Sequence, residues 1–267
     1  MKKALPYSVV LLLICMAAVS SPKVAGQTTT STVTRNPQAL ALLNQALNVA
    51  GGTSAVSMIQ DFTATGNVTY YWDEPVQGTV TVRGRGLHEF RVDAALPDGA
   101  HSWVVSSASS FQKNPNGTTS ALPSQSTVKT PSATIPAIQL LAVIQDTSYS
   151  ITDGGLVTHD GQQEHEVIVQ KTFPLGSDPM DALSAITKTE FFIDPNALTV
   201  QSIDDTAYPI NDAPGSYPHE MQFSAYQTTN GVLVPFTITE LIAGQQTETI
   251  QLTQINFNTG LTDADFE

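Results

Sequence analysis

Short segments of alternating apolar and polar residues, separated by turn residues, run through most of this chain and constrain its fold more than any other feature. Val80 and Val82 alternate with polar neighbours in one such segment, and Asp160–Gly161 is a strong two-residue hairpin signal between two others. About eleven segments of this kind can be counted, nearly all joined by turns of hairpin length. The sequence therefore predicts a mainly β (α+β) fold with a meandering antiparallel sheet of about eleven strands.

Helical segments interrupt this strand pattern at two places, and at a weaker third. The first has Asn36 as its cap, Pro37 in its first turn and Gly51–Gly52 at its end, with apolar residues along one face. The second, Thr134–Ile144, is apolar almost all round, which favours burial on more than one side. A third, shorter helix begins at Asp178. These helices need an apolar surface to lie on.

The number of strands and helices also limits the architecture. The segment Gln112–Thr130 is rich in Ser, Thr, Pro, Asn and Gly and is predicted to be a long mobile loop. No repeat or linker divides residues 36–267, so we expect a single domain there. An antiparallel sheet of this length twists and curls, and two or three helices cannot cover both of its faces. We therefore expect a strongly curved sheet, an incomplete β-barrel, with the helices covering its concave side.

The first 26 residues have the pattern of a secretory signal. Lys2 and Lys3 precede an apolar run that is too short for a comfortable membrane span, and small residues follow up to Gly26. We expect cleavage near Gly26, a flexible segment over residues 27–35, and a periplasmic or secreted protein. Cys15, the only cysteine, lies inside the apolar run after bulky residues, which disfavours lipidation there.

The charge of the predicted mature chain excludes several partners. The full chain carries a formal net charge of −13, and loss of three lysines with the signal leaves 8 basic residues against 24 acidic ones. Nucleic acid binding requires a basic footprint, and electrostatic docking on anionic lipid requires one as well. We expect neither kind of binding, no cofactor, and a monomer.

Four longer stretches of the chain form a recognisable set: FTATGNVTYYW, VQGTVTVRGRGLHEFRV, FFIDPNALTV and GVLVPFTITELIAGQQTETIQLTQINFNTGLTDADF. Together they resemble the outer-membrane lipoprotein carrier family (LolA and LolB-like) and its lipoprotein-sorting relatives. The parallel is specific at Ile193–Pro195, at Gly231–Pro235 and at Asn258–Phe266. These motifs are structural, and none is catalytic. The chain is longer than the carriers, and its surplus lies around Gln112–Thr130, Pro174–Thr187 and Asp204–Pro218.

This resemblance implies an apolar cavity that hides an acyl chain from water. Large apolar residues on one face of successive strands are the predicted lining: Phe90, Trp103, Phe191, Phe223 and Phe236. Apolar residues of the second helix are the predicted lid: Ile138, Leu140, Leu141 and Ile144. The same residues could instead fill a solid core, because periodicity does not distinguish the two arrangements.

The carriers have a lid arginine and a closing aromatic residue, and this chain differs from them in the first. The lid arginine of the carriers has no predicted position here, because Arg35 precedes the first helix and no arginine lies in the second. The resemblance also implies that the last strand closes the sheet and that Phe266 plugs the base of the barrel. A frayed terminus is the alternative for Phe266.

Ionisable clusters give no sign of catalysis or of a metal site. His165 points away from Glu164 and Glu166 on a strand, so the three cannot share one ion, and a solvated strand face is the favoured interpretation. The adjacent carboxylates Asp204–Asp205 should diverge and are assigned to a turn, while His219–Glu220 is predicted to stand alone.

The sequence thus favours a non-enzymatic carrier or chaperone that shelters a lipid or lipoprotein acyl chain. A sensing or protein-interaction module of the cell envelope, with the same fold and a protein partner, is the alternative. A hydrolase is disfavoured because no nucleophile arrangement is present.

Overall fold

The computed structural model describes residues 33–267 except 72–73, 107–109, 124, 126–134, 175 and 209–214. The predicted signal segment 1–26 and most of the predicted flexible segment 27–35 lie outside the described residues. At the described end of that segment, Thr34 and Asn36 pair with Ile151: Ile151 N–H donates to the Thr34 carbonyl, and Asn36 N–H donates to the Ile151 carbonyl, both at 2.8 Å.

Four α-helices and thirteen strands lie in the described part of the chain. The helices are α1 (Pro37–Val49), α2 (Gly52–Val56), α3 (Pro136–Gln145) and α4 (Ala182–Ile186). The first six strands are β1 (Asp61–Tyr71), β2 (Pro75–Arg85), β3 (Glu89–Leu96), β4 (Gly99–Val105), β5 (Ser110–Lys113) and β6 (Thr119–Ala121). The others are β7 (Tyr149–His159), β8 (Gln162–Lys171), β9 (Thr189–Ile193), β10 (Val200–Ala207), β11 (Tyr217–Thr229), β12 (Val232–Ile242) and β13 (Gln245–Phe257). Short 3-10 helices span Pro179–Asp181 and Asp263–Phe266.

All thirteen strands form one antiparallel sheet that consists of two meanders. The first runs from β1 to β6 and the second from β7 to β13, and β13 pairs with β1 to join them. The strands β6 and β7 are the two edges, so the sheet is not closed into a barrel. The predicted incomplete β-barrel is confirmed.

The strand count is higher than the predicted eleven because β5 and β6 were not predicted. The second half of β5 and all of β6 lie inside the segment 112–130, which is predicted to be a mobile loop, and the two strands form a small hairpin around a turn that ends at Gly117. Apart from Phe111 and Ala121 these short strands are polar, so the sequence shows no apolar alternation there.

The first helix begins as its sequence signals predict. The Asn36 side chain accepts hydrogen bonds from the backbone N–H groups of the second and third helical residues, and Pro37 is the first residue. Gly51 follows the helix with φ +123°, and a Cβ there would lie 2.5 Å from the Gly231 carbonyl oxygen. The close contact between the end of α1 and the β11–β12 hairpin therefore requires glycine.

The core lies between the concave face of the sheet and the helices α1 and α3. Cross-strand pairing places a row of mostly apolar side chains on this face: Trp103, Val92, Val82, Ala64 and Ile255. The helices pack buried residues against the same cluster, including Leu43 and Leu47 from α1 and Leu140 and Val143 from α3. The convex face instead carries charged residues such as Arg83 and Arg91, both paired with Asp93.

The C-terminal tail is ordered, but it does not plug the barrel. Phe266 is only 2% exposed, so the frayed-terminus alternative is wrong. The guanidinium of Arg85 lies 5.4 Å from the Phe266 ring centroid, and Arg91 donates to the carbonyls of Asp265 and Glu267. Because these arginines are on the convex face of β2 and β3, Phe266 packs on the outside of the sheet.

Candidate functional site

Two small apolar pockets lie within the layer between the helices and the concave face. The helix pocket, of about 250 Å³, is lined by α1, α3 and the sheet, with Ala46, Ala50, Ala137 and Leu140 among its residues. The strand pocket, of about 290 Å³, is lined by residues from the start of α3 and from four strands: Phe62, Ala64, Val82, Ile135, Val234, Pro235, Ile238, Leu252 and Ile255. Three alanines line the helix pocket and leave space that larger side chains would fill, whereas the strand pocket is lined mostly by larger apolar residues.

Neither pocket is an open cavity in this state. Part of each volume is open to solvent, and the free space that remains between the side chains is about that of a single water molecule. Pockets that bind drug-sized ligands usually have roughly 300–1,000 Å³. A long acyl chain therefore requires the helices to move away from the sheet.

The predicted lining residues belong to the core rather than to these pockets. Phe90, Phe191 and Phe223 are buried in the core cluster, and Trp103 and Phe236 are half-buried against it. None of the five lines the helix pocket or the strand pocket. The prediction from large apolar residues missed the alanines of the helix pocket, Ala46, Ala50 and Ala137, because alternation does not single them out.

The predicted lid residues all lie on α3, over the core. Leu140 is 1% exposed and lines the helix pocket. Ile138, Leu141 and Ile144 are half-buried and pack against the core cluster. The helix begins at Pro136, two residues after its predicted start at Thr134, which lies outside the described residues.

An arginine does contact this helix, contrary to the sequence-based expectation that none could be placed there. The guanidinium of Arg35 donates to the carbonyls of Val143 (3.0 Å), Ile144 (2.9 Å) and Asp146 (3.4 Å) at the C-terminal end of α3. A cation is favourable there because the last carbonyls of a helix are unpaired and carry partial negative charge. Arg35 reaches α3 because its own backbone bridges to β7 at Ile151.

A polar cluster lies on the concave face at one rim of the sheet. His219 contacts Asp205 through Nδ1 (2.6 Å) and Glu240 through Nε2 (3.2 Å). Burial disfavours the imidazolium, but these two carboxylates outweigh burial and raise the pKa of His219 to about 9. Burial and the Glu240 carboxylate raise the pKa of Glu248, which lies opposite Tyr70, to about 8.

A second polar cluster lies on the convex face, on the other side of the same strands. The ring of His159 stacks on Phe192 with centroids 3.7 Å apart, and its Nε2 lies 3.3 Å from Asp204 Oδ2. Burial lowers the pKa of His159, but Asp204, Asp160 and Glu220 outweigh it and raise that pKa. Burial raises the pKa of Asp204 to about 6 and that of Glu220 to about 7.

These two clusters correct the sequence analysis of the ionisable residues. Asp204 and Asp205 diverge as predicted, but they lie in β10 rather than in a turn. His219 and Glu220 do not stand alone, because each belongs to one of the clusters. Glu164 is buried against His159 instead of being solvated. The partners come from neighbouring strands, so adjacency in the sequence does not reveal them.

Comparisons with known proteins support the fold. No protein-family model matches the chain, and no curated protein matches it. A solved LolA superfamily protein from Nitrosomonas europaea matches with a TM-score of 0.52 at 9% identity, over 86% of this chain and 97% of that chain. A solved outer membrane lipoprotein-sorting protein domain from Vibrio parahaemolyticus matches with a TM-score of 0.50 at 12% identity, over 86% and 96%. The predicted resemblance to lipoprotein-sorting proteins is thus confirmed for the fold.

Among the residues that the structure describes, no helix has the length and apolar character needed to cross a membrane.

Proposed function

We propose that this protein is a non-enzymatic carrier or chaperone that binds a lipid or lipoprotein acyl chain between its helices and the concave face of its sheet. It acts in the periplasm or outside the cell after cleavage of its signal segment. The observation that carries the proposal is the apolar layer under α1 and α3, which contains two small apolar pockets. The shared fold with lipoprotein-sorting proteins supports the same role.

The energetics of opening favour this role. Moving one long acyl chain out of water contributes roughly 10 kcal/mol, since each buried methylene is worth about 0.8 kcal/mol. Lifting α3 exposes its larger buried residues Ile135, Leu140 and Val143, at about 1.5–3 kcal/mol each. The free energy gained by burying the acyl chain offsets the cost of exposing these α3 residues, because the bound acyl chain covers the sheet in place of the helix.

The predicted lining and lid residues have defined roles in this proposal. When α3 moves, the aromatic side chains at the concave face become the wall of the enlarged space: Phe90, Trp103, Phe191, Phe223 and Phe236. The lid residues Ile138, Leu140, Leu141 and Ile144 then cover the acyl chain instead of the core. The interior is filled without cargo and opens only when an apolar chain replaces the contacts of the helix.

Native mass spectrometry of protein purified from its own cell envelope tests the proposal. A co-purifying lipid or lipoprotein of defined mass is the expected result. A protein partner without lipid would instead favour a sensing or interaction module, and protein without any bound species that also fails to bind added palmitate would overturn the carrier role.

A matched pair of variants tests the position of the site. Leu141 is half-buried on α3 against the core, whereas Leu156 is 54% exposed on β7. Leu141→Glu should weaken binding of a fluorescent fatty acid at least about tenfold, since a charge in an apolar contact costs more than 1.4 kcal/mol. Leu156→Glu should bind as the parent does. Equal affinity of the two variants, with both folded by circular dichroism, would contradict the assignment of α3 as the lid.

A further inference from the structure

The convex-face cluster has the composition of a cation site. His159 ends β7, Asp160 begins the β7–β8 turn, and Glu220 comes from β11, two strands beyond β9 in the sheet. One ligand atom from each of these three residues lies within 4.8 Å of the other two. Glu164 and Asp204 complete the cluster, so four carboxylates surround one imidazole.

The distances are close to those that a bound ion requires. His159 Nδ1 lies 3.3 Å from Glu164 Oε2 and 4.0 Å from Asp160 Oδ2. Two ligand atoms at about 2.0–2.2 Å from a divalent ion lie at most about 4.4 Å apart. Shifts of a few tenths of an ångström in these side chains therefore bring their ligand atoms within reach of one ion. Gln222 Nε2 donates to Asp160 Oδ2 (2.7 Å) and to Glu220 Oε1 (2.8 Å) and holds these two carboxylates side by side.

A separate observation indicates that a ligand is needed here. Glu164 is only 6% exposed, and its Oε2 lies 3.3 Å from His159 Nδ1 but accepts no well-aligned hydrogen bond from the residues that the structure describes. The Asp204 Oδ1 atom is also buried, and it accepts no hydrogen bond from the residues that the structure describes. Buried carboxylate oxygens without a donor are costly, whereas a cation satisfies them.

We propose that this cluster binds one divalent cation, with His159, Asp160 and Glu220 as its ligands and the buried Glu164 carboxylate beside His159. Asp204 is a positioning residue: it accepts the Nε2 proton of His159 (3.3 Å), so that Nδ1, which lies 3.5 Å from Ser202 Oγ, can face the ion. One imidazole nitrogen with two carboxylates suits Mn²⁺ or Zn²⁺, because imidazole favours Zn²⁺ and carboxylates favour Mn²⁺. The ion would fasten the β7–β8 hairpin to β11 across two intervening strands, and the site is independent of the lipid site on the concave face.

Metal titration of the mature protein after removal of bound metals tests this proposal without any lipid. Isothermal titration with MnCl₂ or ZnCl₂ should give one site per chain, and saturating metal should raise Tm, because an ion that binds only the folded state stabilises it. Glu220→Gln keeps the shape of the side chain and should weaken binding at least about tenfold. Glu166→Gln, on the same face of β8 and outside the cluster, should leave the affinity unchanged.

Three results would overturn the proposal. The first is that neither metal binds stoichiometrically, and the second is that the parent and the Glu220→Gln protein bind metal with equal affinity. The third is that Ca²⁺ binds in preference to both metals. Circular dichroism of the metal-free variants checks that each retains the parent's fold, and Asp160→Asn provides a second variant if Glu220→Gln does not fold.

Discussion

Replacement of Arg35 by methionine should loosen α3 selectively. The change keeps the length of the side chain but removes the guanidinium that donates to the carbonyls of Val143 and Ile144 at 3.0 and 2.9 Å. Hydrogen bonds to charged groups contribute about 1.5–3 kcal/mol each, and this contact is only partly buried. We therefore take the lower end and expect a loss of about 2–3 kcal/mol. That loss corresponds to roughly a 30- to 150-fold increase in the open-to-closed ratio of the helix.

Hydrogen–deuterium exchange measured by mass spectrometry checks this expectation. Amides of α3 should exchange faster by that factor, while those of β1 in the sheet should change little. Arg83→Met is the control, because Arg83 pairs with Asp93 on the convex face and does not contact α3. Unchanged exchange of α3, or equal acceleration in α3 and β1, would show that Arg35 does not hold α3 selectively. Faster uptake of a fluorescent fatty acid by the Arg35→Met protein should accompany the faster exchange.

Other predictions concern stability. The pKa of His219 is raised from 6.5 to about 9, so its stabilising contribution is complete below pH 6.5 and is lost as the pH rises through 9. The unfolding free energy from urea titrations should fall by about 3 kcal/mol over this window, since each pKa unit is worth about 1.36 kcal/mol. His219→Asn should remove most of that pH dependence. Phe266→Ala should cost about 3–5 kcal/mol of unfolding free energy in the same assay while leaving lipid binding intact, because Phe266 packs on the convex face; impaired lipid binding by a folded variant would contradict that placement. A Cβ at Gly84 would lie 2.3 Å from the Phe62 ring, so Gly84→Ala should lower stability by about 1–3 kcal/mol, and an unchanged Tm would show that the ring moves freely.

The sequence predicts the elements that depend on local signals. The cap at Asn36, the end of α1 at Gly51 and the hairpin turn at Asp160–Gly161 follow from backbone preferences that each residue carries by itself. The strand count and length then lead to a curved, open sheet. The hairpin of β5 and β6 lacks such signals, because both strands are short and, apart from Phe111 and Ala121, polar.

The candidate sites depend instead on contacts between distant residues. Arg35 meets α3 across more than a hundred residues, and His219 meets Asp205 and Glu240 only through the register of β10, β11 and β12. The helix pocket brings Ala46 of α1 together with Ala137 of α3. None of these pairings is encoded by spacing along the chain, and so sequence patterns cannot reveal them.

The proposed carrier role requires α3 to move away from the sheet when an acyl chain binds. Gln145 on α3 and Thr253 on β13 are both exposed, and the predicted mature chain has no cysteine, so these two positions can be changed to cysteine and spin-labelled without competing sites. Pulsed electron paramagnetic resonance then measures the distance between the labels with and without palmitate. A longer distance in the palmitate-bound protein is the predicted result, and an identical distance distribution at saturating palmitate would show that α3 does not move.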